Sequence, residues 1–265
     1  MEAQRDSELQ LRRNADWLSS IDMSATLSDI VAKIQEGTGT TLSSDPTFQS
    51  WLTGDFQTLL CLGNAGVGKT TLAAQVIDDF IRNDRFKRSP LLFFFASWQR
   101  REMESQMPTA ILANLLRQLL WWKTSISDET QQLFERHMKG GSRPDESALL
   151  ACLMRETNKI PEIYVVIDAL DELSEDCRPA LLDRMQYFQL RRRILFMATS
   201  RGGISTVALF DRLFPNFKSI QINSKPDDIE AFLLGEMSRL PDVVMQNIEV
   251  QEFIKSEIMK RASGV

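Results

Sequence analysis

The feature that most constrains the fold is a glycine-rich turn placed between an apolar run and a segment with helical spacing of apolar residues. Residues 57–71 read QTLLCLGNAGVGKTT. The turn fits the pattern G-x-x-x-x-G-K-[ST], with Gly63, Gly68, Lys69 and Thr70 at the fixed positions. The pattern predicts a buried strand over residues 58–62, then the turn, then a helix from about residue 71 to residue 82. A flexible turn that merely ends in Lys-Thr would not require this strand–turn–helix context.

Each residue type in the turn meets a requirement of phosphate binding. Backbone N–H groups must curl around a phosphate, which requires the absence of side chains at Gly63, Gly66 and Gly68. The following helix directs free N–H groups and partial positive charge at the same phosphates. Lys69 adds a positive charge, and the Thr70 hydroxyl is a ligand for Mg²⁺. The predicted nucleotide-binding residues are Gly63, Asn64, Ala65, Gly66, Val67, Gly68, Lys69, Thr70 and Thr71.

Continuous apolar runs alternate with amphipathic segments along the rest of the chain. Runs of this kind predict strands that are buried on both faces. The predicted strands cover residues 91–97, 163–170, 194–199 and 217–222. The order predicts an α/β P-loop NTPase fold, a parallel sheet with helices on both faces, followed by C-terminal helices over residues 227–240 and 248–261. An alternative role for the aromatic residues of 46–52, as a wall near a nucleotide base, stays open beside simple packing.

Polar residues follow two of these runs, so the topology places them beside the turn at the carboxyl edge of the sheet. Asp168 ends an apolar strand and is predicted to hold Mg²⁺ directly or through water. Asp171 and Glu172 are candidates for activating or orienting the attacking water, and helix capping is their alternative role. Arg201 follows the strand over residues 194–199 and can reach a γ-phosphate, unless it is an ordinary surface arginine. The predicted catalytic set consists of Lys69, Asp171, Glu172 and Arg201.

At this point the sequence resembles a known family. The segments GNAGVGKTT, YVVIDALDE and ILFMATSR together resemble the NACHT class of STAND nucleotide-binding proteins. The lead-in segments at 17–19, 35–39 and 48–52 are similar to those of fungal NOD-like receptors, and so is the ending Arg-Ala-Ser-Gly-Val. The resemblance covers roughly residues 17–265, and it is what favours adenine nucleotides, since no base-reading motif is visible.

The resemblance implies a regulated switch, closed with ADP and opened by exchange for ATP, in which subunits self-associate or associate with related NACHT proteins. It implies three parts: an N-terminal linker with short helices (1–52), a NACHT P-loop NTPase domain (53–225), and the truncated start of a helical subdomain (226–265). Family members usually carry an effector domain, repeats and a winged-helix histidine that contacts the nucleotide. The sequence has a single histidine, His137, in a polar segment.

Composition excludes several other classes. The net charge of −5 argues against a nucleic-acid-binding surface spread over the domain. The longest apolar run, residues 91–96, is too short for a membrane span, and the charged N-terminus lacks a signal-peptide core. These two features predict a cytoplasmic location. Three cysteines, Cys61, Cys152 and Cys177, show no CxxC spacing and predict reduced, buried thiols. The preferred function is a signalling module that binds ATP and Mg²⁺ and hydrolyses ATP slowly. The alternative is a non-hydrolysing nucleotide-binding scaffold that acts on full-length relatives.

Overall fold

The computed structural model describes residues 2–35, 40–83, 88–97, 99, 106–223, 229–230, 233 and 247–262. The helices are α1 Glu2–Leu18, α2 Met23–Val31, α3 Thr40–Ser43, α4 Pro46–Thr53, α5 Lys69–Arg82, α6 Pro108–Trp122, α7 Asp128–Gly140, α8 Glu146–Glu156, α9 Cys177–Gln189, α10 Ile204–Leu213 and α11 Ile248–Ala262. The strands are β1 Thr58–Leu62, β2 Leu91–Phe95, β3 Ile163–Asp168, β4 Ile194–Ser200 and β5 Lys218–Gln221.

The five strands form one parallel sheet in the order β2-β3-β4-β1-β5. The strand before the glycine-rich turn, β1, therefore lies between β4 and β5. Its last residue, Leu62, is in register with Ser200 of β4, while Phe95 of β2 is in register with Asp168 of β3. The carboxyl ends of β1, β3 and β4 meet at one edge, as the alternation of strands and helices predicts. The α/β fold with a parallel sheet is confirmed.

Helices cover both faces of the sheet. Side chains alternate between faces along a strand, so Phe196 and Thr199 of β4 point in opposite directions. The Phe196 ring packs against Phe210 of α10 and Phe214 just after it, with ring centroids 6.3 Å and 5.8 Å away. Asp168, in line with Thr199, meets the opposite layer, which contains α5. All positions of β3 and β4 are buried, and this explains their unbroken apolar character.

The element bounds differ from the prediction where backbone geometry intervenes. Helix α5 begins at Lys69, two residues earlier than predicted, because Gly68 takes the N-cap position. Strand β3 ends at Asp168 instead of residue 170, since Ala169 adopts a left-handed conformation and a short 3-10 helix follows over Leu170–Glu172. Strand β5 is shorter than predicted and only Ile220 is buried in it, as suits an edge strand.

The N-terminal segment begins with a helix that packs on the core. Residues 2–18 form one helix of 17 residues, and Leu11, Ala15 and Leu18 are buried in the same apolar cluster as the strands. Polar contacts fasten it as well, since Asn14 donates a hydrogen bond of 2.7 Å to Gln131 of α7. The spacing of Leu11, Ala15 and Leu18 at i, i+4 and i+7 places them on one helical face. Because charged residues surround this short apolar stripe, the sequence did not predict a buried helix face here.

The base-wall alternative for the aromatic residues of α4 is also wrong. Trp51 is fully buried and packs on Phe80 of α5 and Tyr164 at the start of β3, with centroid separations of 6.4 Å and 5.8 Å. These contacts lie towards the amino ends of the strands, away from the glycine-rich turn. Asp45 caps α4 through hydrogen bonds from the backbone N–H groups of Thr47 and Phe48. Packing therefore explains the helix.

The C-terminal helices are confirmed in part. Helix α11 matches the prediction over residues 248–261 to within one residue. The helix predicted over residues 227–240 lies mostly outside the described residues, and so do the predicted Gly-Thr-Gly stretch of the lead-in and residues 263–265. In the described part of the chain, no helix is both long and apolar enough to span a membrane. The three-part domain division stays a prediction.

Candidate functional site

The glycine-rich turn after β1 has the backbone geometry of an anion cradle. Gly66 and Gly68 have φ angles of 82° and 89°, a left-handed conformation that side chains strongly disfavour. A Cβ at either position would have open space, so the requirement there is conformational. At Gly63 the requirement is steric, since a Cβ would lie 2.7 Å from the carbonyl oxygen of Ile222. The three glycines are thus needed for two different physical reasons.

Helix α5 begins directly after this turn without a side-chain cap. Gly68 occupies the N-cap position and offers no side chain to the first backbone N–H groups of the helix. Those groups carry the positive end of the helix dipole, which makes the turn a site for a phosphate. The loop residues Asn64, Ala65 and Gly66 are exposed, while Val67 packs inward beside Gly63. Thr71 lies in the first turn of α5 and is half-buried.

Lys69 is folded back onto the turn. Its Nζ donates hydrogen bonds of 2.8 Å to the carbonyl oxygens of Gly63 and Asn64. Burial lowers the pKa of its ammonium group, while the carboxylates of Asp171 and Asp168 act in the opposite direction. The lysine therefore has two neutral acceptors in direct contact, and it forms no ion pair with a carboxylate of the residues that the structure describes. A phosphate in the turn would supply the missing anionic partner.

Asp168 joins α5 to the sheet through two hydroxyl groups. Thr70 donates a hydrogen bond of 2.7 Å to its Oδ2, and Thr199 donates one of 2.6 Å to its Oδ1. The residue is 2% exposed. Burial raises the pKa of the Asp168 carboxyl above its usual value, and the two hydroxyl donors offset this only in part. The buried carboxylate thus contacts two hydroxyl groups and, within the described part of the chain, forms no ion pair with a Lys or Arg side chain.

The turn after Asp168 carries backbone strain. Ala169 has φ 57° and is the residue other than glycine with positive φ among those the structure describes. This conformation costs an L-residue about 1–2 kcal/mol. It is held because the Ala169 N–H donates a 2.8 Å hydrogen bond to Thr199 Oγ1, which also binds Asp168. One hydroxyl therefore fixes both the carboxylate and the turn that leads to Asp171 and Glu172.

Arg201 is held by the acidic turn. Its Nε lies 3.1 Å from Asp171 Oδ2, its backbone N–H donates a 2.9 Å hydrogen bond to Asp171 Oδ1, and its guanidinium is 4.0 Å from Glu172. The structure thus brings together all four residues of the predicted catalytic set at one edge. It assigns Asp171 to the positioning of Arg201, a contact that the sequence did not suggest. The roles predicted for Asp171, Glu172 and Arg201 in hydrolysis stay predictions.

Two positioning residues were missed at the sequence level. Thr199 anchors Asp168 as described above. It lies level with Asp168 on the neighbouring strand, so the pairing of β3 with β4 is the signal that identifies it. Arg178 of α9 donates hydrogen bonds to the carbonyl oxygens of Leu170, Asp171 and Leu173, at 2.9 Å, 3.2 Å and 3.3 Å. No local pattern marks Arg178, because its partners are backbone atoms of a turn whose shape the sequence does not reveal.

The oxygen donors at this edge fit Mg²⁺. No group of three or more His, Cys, Asp or Glu side chains that could hold a metal occurs among the described residues. Mg²⁺ does not need such a group, since it is usually held by one or two protein oxygens together with phosphates and water. The Thr70 hydroxyl and the Asp168 carboxylate, 2.7 Å apart, are donors of this kind. They would hold the ion beside the phosphate cradle.

Comparisons with known proteins agree with this geometry. The family model described as Nephrocystin 3, N-terminal, matches residues 37–201, more than half of the chain. The matched stretch contains the glycine-rich turn, Asp168, the acidic turn and Arg201. No match is found among curated proteins.

Solved structures with a similar fold are remote in sequence. Cdc6p from Pyrobaculum aerophilum is 15% identical, with a TM-score of 0.48, over 77% of this chain and 50% of that protein. The Orc1 protein of Aeropyrum pernix, solved in complex with DNA, is 14% identical, with a TM-score of 0.47, over 81% and 58%. A Walker-type ATPase of Pyrococcus abyssi is 14% identical, with a TM-score of 0.42, over 82% and 68%. The chain thus spans about half the length of the Pyrobaculum protein.

Proposed function

Because the chain belongs to the Nephrocystin 3, N-terminal family and has a P-loop NTPase fold, we propose that it is a NACHT-type nucleotide switch module that binds ATP or ADP with Mg²⁺ and hydrolyses ATP slowly. In the wider proposal, it serves a fungal signalling receptor of the NOD-like type, in innate immunity or heterokaryon incompatibility. Its partners would be nucleotide and other NACHT subunits, including copies of itself, in the cytoplasm.

The observation that carries this proposal is the direct contact between Thr70 at the start of α5 and Asp168 at the end of β3. It connects a cradle for phosphates to a buried carboxylate whose hydrogen-bond partners are the hydroxyl groups of Thr70 and Thr199, at the edge where parallel sheets bind ligands. Bound Mg²⁺ would supply the charge that neutralises both the phosphates and Asp168.

The remaining residues fit roles in phosphoryl transfer. Lys69 would exchange its two carbonyl acceptors for phosphate oxygens, a stronger charge-assisted contact. Glu172 follows Asp171 on the 3-10 turn and would orient water near the γ-phosphate. Arg201 would detect the γ-phosphate, which competes with Asp171 for its guanidinium. Asp171 thereby keeps Arg201 at the edge of the site until a triphosphate is bound.

Nucleotide binding by the purified chain tests the proposal. We expect Lys69→Ala to weaken ATP binding, measured by titration calorimetry with Mg²⁺, by at least tenfold, since a charge-assisted contact contributes about 1.5–3 kcal/mol. Lys139→Ala is the matched control, because Lys139 is exposed on α7. Equal affinity in both variants would remove the phosphate-loop assignment.

Turnover separates the two candidate functions. We expect Glu172→Gln to slow phosphate release while ATP affinity stays within about twofold of wild type. The Asp171–Arg201 ion pair is the observation that favours the non-hydrolysing alternative. If Arg201 stays paired with Asp171 when ATP is bound, its guanidinium does not contact the γ-phosphate. Intact binding without any turnover in the wild-type chain would therefore favour a nucleotide-dependent scaffold. ADP that copurifies with the chain would support a resting switch, and we expect no stimulation of turnover by DNA.

A further inference from the structure

A groove of about 570 Å³ lies between α8 and the carboxyl end of α9. One wall is the face of α8 that carries Leu150, Met154 and Arg155 and continues to Asn158. The other wall is formed by Tyr187 of α9 and by Arg192, which precedes β4. Pockets for small molecules have volumes of this order, about 300–1,000 Å³.

The groove is separate from the nucleotide site. Asn158 and Arg192 precede β3 and β4, whereas Asp168 and Arg201 lie at or just beyond the carboxyl ends of the same strands. Strands of this length span about 20 Å, so the two regions lie at opposite edges of the sheet. A ligand in the groove would not compete for the phosphate cradle, and this inference does not depend on the proposed function.

The charges of the groove are positive and not neutralised by the protein. The Arg192 guanidinium donates to the carbonyl oxygens of Arg191 and Met154, at 2.7 Å and 2.8 Å, and to Asn158 Oδ1 at 3.0 Å. Arg155 donates a long hydrogen bond of 3.4 Å to the hydroxyl of Thr130. Within the described part of the chain, neither arginine has a carboxylate within ion-pair distance, and no acidic side chain lines the groove.

Neighbouring arginines behave differently. Arg184 of α9 pairs with Glu146, and Arg193, the residue after Arg192, pairs with Glu162 at 2.7 Å. Carboxylates are therefore placed where this chain uses an arginine to join its own elements. Among the described residues neither Arg155 nor Arg192 forms such a pair, and the Glu156 carboxylate next to Arg155 is bound by Lys123 and Ser127 instead. This arrangement leaves a local basic site with room for an anion from outside.

The rest of the groove is apolar and aromatic. Leu150 and Met154 of α8 are half-buried, and Met154 also packs against the edge of the core. The Tyr187 ring is 39% exposed, and the Arg191 guanidinium stacks on it at 3.6 Å from the ring centre. A purely inorganic anion would leave these surfaces in water. A ligand with an apolar body would cover them.

We propose that this groove binds a small organic anion in which a phosphate or carboxylate is attached to an aromatic ring. The anionic group would lie between Arg155 and Arg192, which can donate charge-assisted hydrogen bonds to it. The ring would contact Leu150, Met154 and Tyr187. The Asn158 side chain, whose oxygen already accepts from Arg192, has its amide N–H groups available for the same anion.

The experiment uses the full chain with ¹³C-labelled methionine methyl groups, and the Met154 resonance is assigned with Met154→Leu. The probes are phenyl phosphate and benzoate, with inorganic phosphate and phenol as fragments that each lack one half of the ligand. Met154 lines the groove, so its methyl resonance reports binding there and not at the phosphate cradle. We expect phenyl phosphate or benzoate to shift this resonance saturably, with a Kd on the order of 1 mM, and either fragment alone to bind more weakly.

Variants of the arginines decide the inference. Arg155→Gln and Arg192→Gln should each raise the Kd of phenyl phosphate about tenfold. Arg82→Gln is the control, because Arg82 is exposed at the end of α5 and pairs with Asp78 of the same helix, and it should change the Kd less than twofold. Arg155 is exposed, so its variant keeps the test valid even if Arg192→Gln disturbs folding. A Met154 resonance that does not respond to either probe, an equal response to phenol, or the same Kd in all three variants would overturn the proposal.

Discussion

Two carboxylates are buried to nearly the same degree in this molecule, and the structure treats them in opposite ways. Glu156 at the end of α8 is 3% exposed, and Asp168 at the end of β3 is 2% exposed. Burial raises the pKa of both groups. At Glu156 this effect is outweighed by hydrogen bonds from Lys123, Ser127 and Thr130, so its pKa is lowered overall. At Asp168 two hydroxyl groups do not outweigh burial, and the pKa stays raised.

The two carboxylates differ in whether a lysine side chain binds them directly. Lys123 Nζ lies 2.5 Å from Glu156 Oε2 and also binds the Glu156 carbonyl oxygen, which ties the ends of α6 and α8 together. The charge of Lys69 acts on Asp168, but its ammonium group is folded onto the carbonyl oxygens of its own turn. The charge of Glu156 is thus balanced within the chain. In the proposed function, the charge of Asp168 is balanced by a cation that arrives with the nucleotide.

The largest effect on stability is expected from breaking the Lys123–Glu156 ion pair. Lys123→Met leaves Glu156 buried without its cation, and we expect the free energy of unfolding to fall by about 3 kcal/mol, measured by urea denaturation. Lys139→Met on the exposed side of α7 should leave it unchanged within about 0.5 kcal/mol. A loss for Lys123→Met no larger than that of the control would mean that Glu156 is not charged in the folded protein.

Removal of Thr199 Oγ1 tests how Asp168 is held. Thr199→Val removes the donor to Asp168 and leaves the buried N–H of Ala169 without an acceptor, so we expect a loss of about 2 kcal/mol. Ser200→Ala is the matched control, because the Ser200 hydroxyl is buried one residue away and finds no hydrogen-bond partner among the described residues. Its removal should be neutral or slightly stabilising. Urea denaturation that gives the two variants equal stability would contradict the positioning role of Thr199.

The smallest effect, of opposite sign, is expected from neutralising Asp168. Without nucleotide, Asp168→Asn removes a buried charge that has only neutral partners, and we expect a gain on the order of 1 kcal/mol near pH 7. The raised pKa means that wild-type Asp168 takes up a proton in the folded state as pH falls. The wild type then gains stability, and the advantage of Asp168→Asn should shrink towards acidic pH.

Substitution of Glu156 should show the opposite effect on stability in the same pH series. Because its pKa is lowered on folding, its charge stabilises the protein at neutral pH, and this contribution is lost as pH falls through the folded pKa. Glu156→Gln should therefore be less stable than wild type at pH 7, with a difference that shrinks in acid. Thermal midpoints of the three proteins between pH 4 and about pH 8 measure both trends. A destabilised Asp168→Asn at neutral pH would contradict the comparison.

The fold and the outline of the site could be predicted from the sequence, because each depends on local patterns. The unbroken apolar runs of β3 and β4 and the spacing of Gly63, Gly68, Lys69 and Thr70 are readable without a partner element. The buried face of α1 was missed because its short stripe, from Leu11 to Leu18, is embedded among charged residues. Only α6 and the layer around it make that stripe a core face.

Contacts between distant residues account for the rest. The Asp171–Arg201 pair joins residues 30 positions apart, and the Arg178 hydrogen bonds depend on the exact path of a 3-10 turn. The left-handed conformation of Ala169 is likewise invisible in the sequence, since alanine carries no preference for it. It exists because Thr199, on the next strand, supplies an acceptor at that point.

The most direct test of the central claim, that Asp168 is kept for a cation bound with nucleotide, is the thermal shift produced by ADP and Mg²⁺ together. We predict that the wild type is stabilised by about 2.7 kcal/mol at a ligand concentration one hundred times the Kd. Glu156→Gln should start from a lower midpoint and show the same shift. Asp168→Asn should start from an equal or higher midpoint and lose most of the shift. A full Mg²⁺-dependent shift in Asp168→Asn would contradict the claim.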